Sequence, residues 1–170
     1  SWATSPSVTE VETLVLDWMV ELLDLPRHFL GNGVIQDSAS SATLCAILAA
    51  RGRAAADGTE LGRLVAYCTA QAHSSIEKGL RVAGIGADQI HVVAHDAAFA
   101  MDPAALASAV DADVAAGRVP FFVCANAGST STEAFDPVPE LAPICASAGA
   151  WLHVDGAMCG VAALAPELRW

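Results

Sequence analysis

The sequence predicts an α/β fold: a mostly parallel sheet with helices on both faces. Three observations carry this expectation. Short apolar, β-branched runs alternate with segments of helical period along the chain. The connections between them are short, with no repeat, linker or low-complexity break. The last strand-like run, Trp151-Leu152-His153-Val154, ends on a single carboxylate, Asp155, and open α/β sheets bind ligands at the C-terminal ends of their strands.

The elements follow in order. Thr9-Glu10-Val11-Glu12 has capping-box spacing. Val11, Leu14, Val15, Trp18, Met19 and Leu22 then recur at helical spacing, up to a stop at Pro26. That stripe is expected to be core or subunit interface. Gly31-Asn32-Gly33 reads as a turn into a brief strand at Val34-Ile35. Its G-x-G lacks a third glycine and a preceding strand, so a Rossmann fingerprint is rejected. Asp37 to Thr43 is a cluster of small polar residues at the start of a helix through Leu44–Arg51. Asp57-Gly58-Thr59 reads as a turn, and Leu64–Cys68 as a strand. That strand delivers Ala72-His73-Ser74-Ser75 to a helix over Ile76–Ala83, closed by Gly84. A strand at Ile90–Ala94 is flanked by His91 and His95, both read as solvated. Asp102-Pro103 is an N-cap with proline at the first helical position, and Gly117 a C-cap. Phe121–Ala125 reads as a central strand opening into the polar loop Asn126–Thr132. Asp136-Pro137 starts the last long helix, which ends near Gly149.

Composition narrows the function classes. The chain has 170 residues, enough for one domain, with mean hydropathy +0.46. The longest apolar runs fall short of a membrane span, and no basic-then-apolar leader opens the sequence. Its first residue is not Met, which suggests a longer native chain. Eight basic against nineteen acidic residues give a net charge of -11, which argues against nucleic-acid and anionic-membrane partners. The five cysteines are odd in number and have no C-x-x-C spacing. They support neither a metal site nor a disulfide framework, and point to a reducing, cytoplasmic setting. Cys45, Cys124 and Cys145 sit in apolar runs and are expected in the core.

Four segments could share one sheet edge. Asp155 could hold a cationic ligand group, such as the protonated ring nitrogen of a cofactor, or could cap the turn at Gly156. Ser38, Ala39 and Ser40 open a helix, where hydroxyls and free N–H groups suit a phosphate; plain N-capping by Ser38 or Ser40 is the alternative. His73 follows a strand and lies on the Asp155 edge if the sheet is parallel. The Asn126–Thr132 loop is the fourth.

Gln36-Asp37-Ser38-Ala39-Ser40, Gln71-Ala72-His73-Ser74-Ser75, Gly128-Ser129-Thr130 with Phe135-Asp136, and Trp151-Leu152-His153-Val154-Asp155 stand in the order and spacing of the group II pyridoxal-phosphate decarboxylases. The chain resembles this family over nearly its whole length. The relatives include aromatic-L-amino-acid, tyrosine, histidine and glutamate decarboxylases. The resemblance implies a fold type I large domain, partial over residues 1–170, with pyridoxal 5'-phosphate as cofactor. It implies a homodimeric parent that converts an L-amino acid, aromatic by preference, to its amine and carbon dioxide. In this reading Asp155 pairs with the pyridine nitrogen and His73 stacks on the ring. Ser38, Ala39 and Ser40 bind the phosphate. Thr130 sits beside Asp155 or the cofactor, and Ala157 touches the ring opposite His73. Asp136 matches a family aspartate, although N-capping explains it equally well.

The departures are Asp37 where relatives have Gly, Ser41 where the aromatic branch has Glu, Asn126 in its loop, and Met158-Cys159 after the aspartate. The family's Schiff-base lysine lies a few tens of residues beyond the aspartate. The sole lysine here is Lys78, read as structural. The sequence is therefore expected to be an internal fragment without turnover of its own. The alternatives are another fold type I enzyme, such as an aldehyde synthase or cysteine desulfurase, and a truncated, non-catalytic binding or dimerising homologue. A serine hydrolase using His73 and Asp155 lacks a G-x-S-x-G elbow.

Overall fold

The computed structural model describes residues 2–56 and 58–169. Asp57, the first residue of the expected Asp57-Gly58-Thr59 turn, lies outside them. The chain divides into two compact units, residues 2–38 with 161–169, and residues 39–160.

The first unit is led by α1, Pro6–Leu22. Its start corrects the expected capping box. Pro6 takes the first turn and Thr9 lies inside the helix, where its hydroxyl donates back to the Ser5 carbonyl at 2.8 Å. The stripe Val11, Leu14, Val15, Trp18, Met19 and Leu22 is exposed rather than core, and the helix buries Val20 instead. The strand expected at Val34-Ile35 does not form. Acidic side chains of α1 hold this segment: Gly31 N–H donates to Asp17 and Ile35 N–H to Glu12, each at 2.8 Å.

The second unit is a four-stranded parallel sheet of β1 (Leu64–Thr69), β2 (Ile90–Val93), β3 (Val119–Asn126) and β4 (Trp151–Asp155), in the order β2-β1-β3-β4. α2 (Ala39–Ala54) and α3 (Ser74–Val82) cover one face. α4 (Pro103–Ala115) and α5 (Val138–Ala148) cover the other. The pleat explains the division. In β1, Leu64, Ala66 and Cys68 meet α2 and α3, whereas Val65 and Tyr67 meet α4 and α5. β1 and β3 are buried along nearly their full length, as parallel strands covered on both faces should be. The register slips between Val65 and Ala66, whose partners are Pro120 and Phe122. Phe121 is thus an extra residue, and both Phe121 and Phe122 fill the α2–α3 side. α2 and α3 approach closely at Gly79, where a Cβ would stand 2.9 Å from Ile47 Cδ1.

Several local expectations hold. Asp102 caps α4 by accepting from Ala104 and Ala105 N–H, and Gly84, Gly117 and Gly149 take positive φ just beyond their helices. Two do not. Cys45 is exposed, because α2 turns Thr43, Ile47 and Ala50 inward instead, while Cys124 and Cys145 are core as expected. His91 is half-buried rather than solvated. Its Nδ1 lies 3.0 Å from Asp113 Oδ2, which also accepts the Tyr67 hydroxyl at 2.6 Å. Burial and this carboxylate push the Tyr67 phenol well above its usual range. No helix among the described residues is long and apolar enough to cross a membrane.

Candidate active site

After β1 the chain runs through α3 to β2 on one side; after β3 it runs through α5 to β4 on the other. The C-terminal ends of β1 and β3 therefore form the topological switch point, where such sheets hold ligands. A cleft of about 190 Å³ opens there, lined by Ala39, His73, Asn126, Gly128, Ser129, Thr130, Asp155, Ala157 and Met158. The second unit thus brings together five predicted residues: Ala39, His73, Thr130, Asp155 and Ala157. Ser40 follows Ala39 in the first turn of α2 and is exposed, and Ser38 closes the first unit. Lys78 is exposed on α3, donates to Ser74 Oγ at 3.3 Å, and is not part of the lining.

Each side chain has a local reason for its place. Asp155 ends β4 beside Asn126 of β3. Its Oδ1 accepts Ala157 N–H at 3.1 Å, so the turn reading holds as well. Among the described residues no protein donor bonds its Oδ2, which leaves an acceptor for a ligand. His73 is the N-cap of α3; its Nδ1 accepts from Ser75 N–H at 3.3 Å and lies 2.8 Å from Ser75 Oγ. Gly128 has φ +80°, and a Cβ there would collide with the Cys159 side chain, so this turn of the loop requires glycine.

Of the two readings open for Asp136, the N-cap does not hold: its side chain does not cap α5, whose N-cap is Pro137. Asp136 is 1% exposed and points back into the sheet edge. Oδ1 accepts Met101 N–H at 2.6 Å, while Oδ2 accepts Asn126 N–H at 2.6 Å and Asn126 Nδ2 at 2.9 Å. The Asp136 N–H returns a bond to the Asn126 carbonyl at 2.9 Å, and Ala127 N–H donates to the Asp155 carbonyl at 2.9 Å. One carboxylate thus fixes the end of β3 directly beside Asp155. Asn126, unusual in its loop by resemblance, earns its amide here. Serine and threonine close the rest: Ser129 Oγ lies 2.6 Å from Thr132 Oγ1, which reaches Gln71 Oε1 at 3.5 Å.

Burial pushes the Cys124 thiol well up, with the Asp155 charge adding to it; burial likewise pushes the Cys68 thiol up, to about 11. Both stay protonated near neutrality and are poor nucleophiles. His153 of β4 stacks on Phe122 with centroids 5.5 Å apart, and burial lowers its pKa from 6.5 against the opposing pull of Asp155. The sign follows: the unfolded chain takes up this proton first, so stability falls as pH drops below 6.5 toward the lowered native value. Denaturant titrations from pH 7 to 5 should show this loss, and His153→Gln should flatten it. An unchanged slope in the variant would contradict the assignment.

The model for the pyridoxal-dependent decarboxylase conserved domain matches residues 1–170. The chain belongs to this family. It is 44% identical to tryptophan decarboxylase 2 of Oryza sativa subsp. japonica, over 99% of the chain and 36% of the relative. It is likewise 44% identical to phenylacetaldehyde synthase of Arabidopsis thaliana, over 99% of the chain and 36% of the relative. The structure of Catharanthus roseus tryptophan decarboxylase in complex with L-tryptophan superposes with TM-score 0.94 at 41% identity, over 99% of this chain and 38% of that one. The fold expected from sequence, a parallel α/β sheet of the pyridoxal-dependent decarboxylases, is the one observed. The chain spans little more than a third of the length of these decarboxylase relatives.

Proposed function

We propose that this chain forms the cofactor-binding core, within one large domain, of a pyridoxal-phosphate-dependent decarboxylase that acts on an L-amino acid, aromatic by preference. The observation that carries the reading is the cleft, which gathers His73, Thr130, Asp155 and Ala157 at the switch point, with the N-terminus of α2 opening on it through Ala39. The residues fit the group. A cavity of about 150 Å³ accommodates a benzene ring, so the cleft, at about 190 Å³, has room for a pyridine. Asp155 offers an unshared carboxylate oxygen, His73 a flat ring, and α2 a helix N-terminus suited to phosphate.

Bound pyridoxal phosphate supplies an electron sink for the carbon that loses carbon dioxide. Asp155 holds a proton at the ring nitrogen. His73 and Ala157 would confine the ring, and Thr130 would help orient it beside Asp155. Ala39 and Ser40 hold the phosphate through N–H and hydroxyl groups, with Ser38 before them in the role the resemblance gives it. The parent is proposed to be a homodimer, and the free cysteines of this chain suit the proposed cytoplasmic location.

A second reading has its own support: the Arabidopsis aldehyde synthase is as similar in sequence as the rice decarboxylase, and Rhodiola rosea 4-hydroxyphenylacetaldehyde synthase superposes with TM-score 0.93. Product analysis of the intact protein with aromatic L-amino acids and pyridoxal phosphate separates them. The decarboxylase reading expects amine and carbon dioxide in equal amounts. Aldehyde as the main product would transfer the assignment to the second reading.

A further inference from the structure

We propose that Ser75 is a positioning residue that locks His73 in the Nε2–H tautomer with a fixed ring orientation. The two serines of the His73 block have separate tasks. Ser74 is exposed, and its hydroxyl accepts from Lys78. Ser75 is buried, 8% exposed, and approaches His73 Nδ1 with both its N–H and its hydroxyl. A backbone N–H can only donate, so Nδ1 must be the acceptor and the neutral ring carries its proton on Nε2. The Ser75 hydroxyl then donates to the same nitrogen at 2.8 Å, the length of a good hydrogen bond. The backbone contact comes with any N-cap acceptor on α3, so the hydroxyl is the part that the choice of serine adds. The consequence is specific: a ligand in the cleft meets a ring face and an Nε2–H donor, never a free Nδ1.

Only the effect on ligand binding rests on the cofactor reading. The lock is therefore tested first without cofactor, by side-chain ¹⁵N NMR of His73 in the intact apo-protein. Wild type, Ser74→Ala and Ser75→Thr should all show the Nε2–H tautomer with a hydrogen-bonded Nδ1. Ser75→Ala keeps only the longer backbone contact at 3.3 Å, so the hydrogen-bond signature at Nδ1 should weaken and a fraction of the Nδ1–H tautomer should appear. Ser75→Val, isosteric with the threonine variant, supplies the same comparison if the alanine variant does not fold. Titration with pyridoxal phosphate, followed by its absorbance, should then give a dissociation constant about tenfold weaker without the hydroxyl, the worth of one hydrogen bond of about 1.4 kcal/mol. Threonine should restore it. A wild-type His73 signature in Ser75→Ala or Ser75→Val, or no rescue by threonine, would overturn the lock. A lock that holds in a protein that does not bind pyridoxal phosphate would leave this inference standing and remove the cofactor reading.

Discussion

Asp136→Ala is expected to destabilise the protein by about 3–5 kcal/mol, although the residue lies outside the cleft lining. The substitution strips three N–H donors of their acceptor: Met101 N–H, Asn126 N–H and the Asn126 side-chain amide. Asn126 and Met101 are 3% and 1% exposed, so water cannot readily replace the lost bonds. Each buried, unsatisfied donor costs about 1–3 kcal/mol. Domains of this size are stable by only about 5–15 kcal/mol, so the variant should unfold at much lower denaturant. Asp136→Asn should cost less, because its carbonyl oxygen still accepts while its amide opposes one N–H. A denaturant midpoint for Asp136→Ala within experimental error of the wild type would show that the carboxylate does not hold the end of β3. The functional consequence follows from register. Asn126 is the partner of Asp155, so loosening it should also displace the Asp155 carboxylate.

Asp155→Asn should act in the opposite manner, leaving stability nearly intact and sharply lowering the activity proposed for the intact protein. The amide oxygen can still accept from Ala157 N–H, so the turn after β4 survives. What disappears is the negative charge at the strand end. On the proposed function that charge keeps a proton on the cofactor ring when it is most needed, and removing such an electrostatic contact costs about 10²–10³-fold in turnover. Steady-state decarboxylation, with circular dichroism as a check on folding, measures it. A loss below about tenfold in a folded, cofactor-loaded variant would assign the ring nitrogen to another partner.

The contrast between these aspartates shows what the sequence made legible. The position of Asp155 was legible because it is set locally: an apolar strand ends and a carboxylate follows, and a parallel sheet places that end at the edge where such sheets hold ligands. Asp102 was legible as a cap for the same reason, the N–H donors it accepts from being two and three residues away. Asp136 also precedes a proline and a helix, but its partners are 10 and 35 residues distant, and no short-range pattern encodes them. His91 follows the same rule, since its partner Asp113 sits on the next helix. In the first unit, local rules competed. Ser5-Pro6 and Thr9–Glu12 both resemble helix starts, and the earlier one prevails because proline is suited to the first turn. Val34 and Ile35 have strand propensity, but carboxylates of α1 take the backbone donors in their stretch. The fold of the second unit was readable because alternation and short connections leave few topologies. The split role of the serine pair was not, since burial alone distinguishes Ser75 from Ser74.

The most direct test of the central claim is a crystal structure of the intact protein with pyridoxal phosphate. The account predicts the ring in the switch-point cleft, its nitrogen about 2.7–2.9 Å from an Asp155 carboxylate oxygen, as a charge-assisted bond requires, and its phosphate at the N-terminus of α2. A ring bound elsewhere, or one in the cleft with its nitrogen turned away from Asp155, would contradict it.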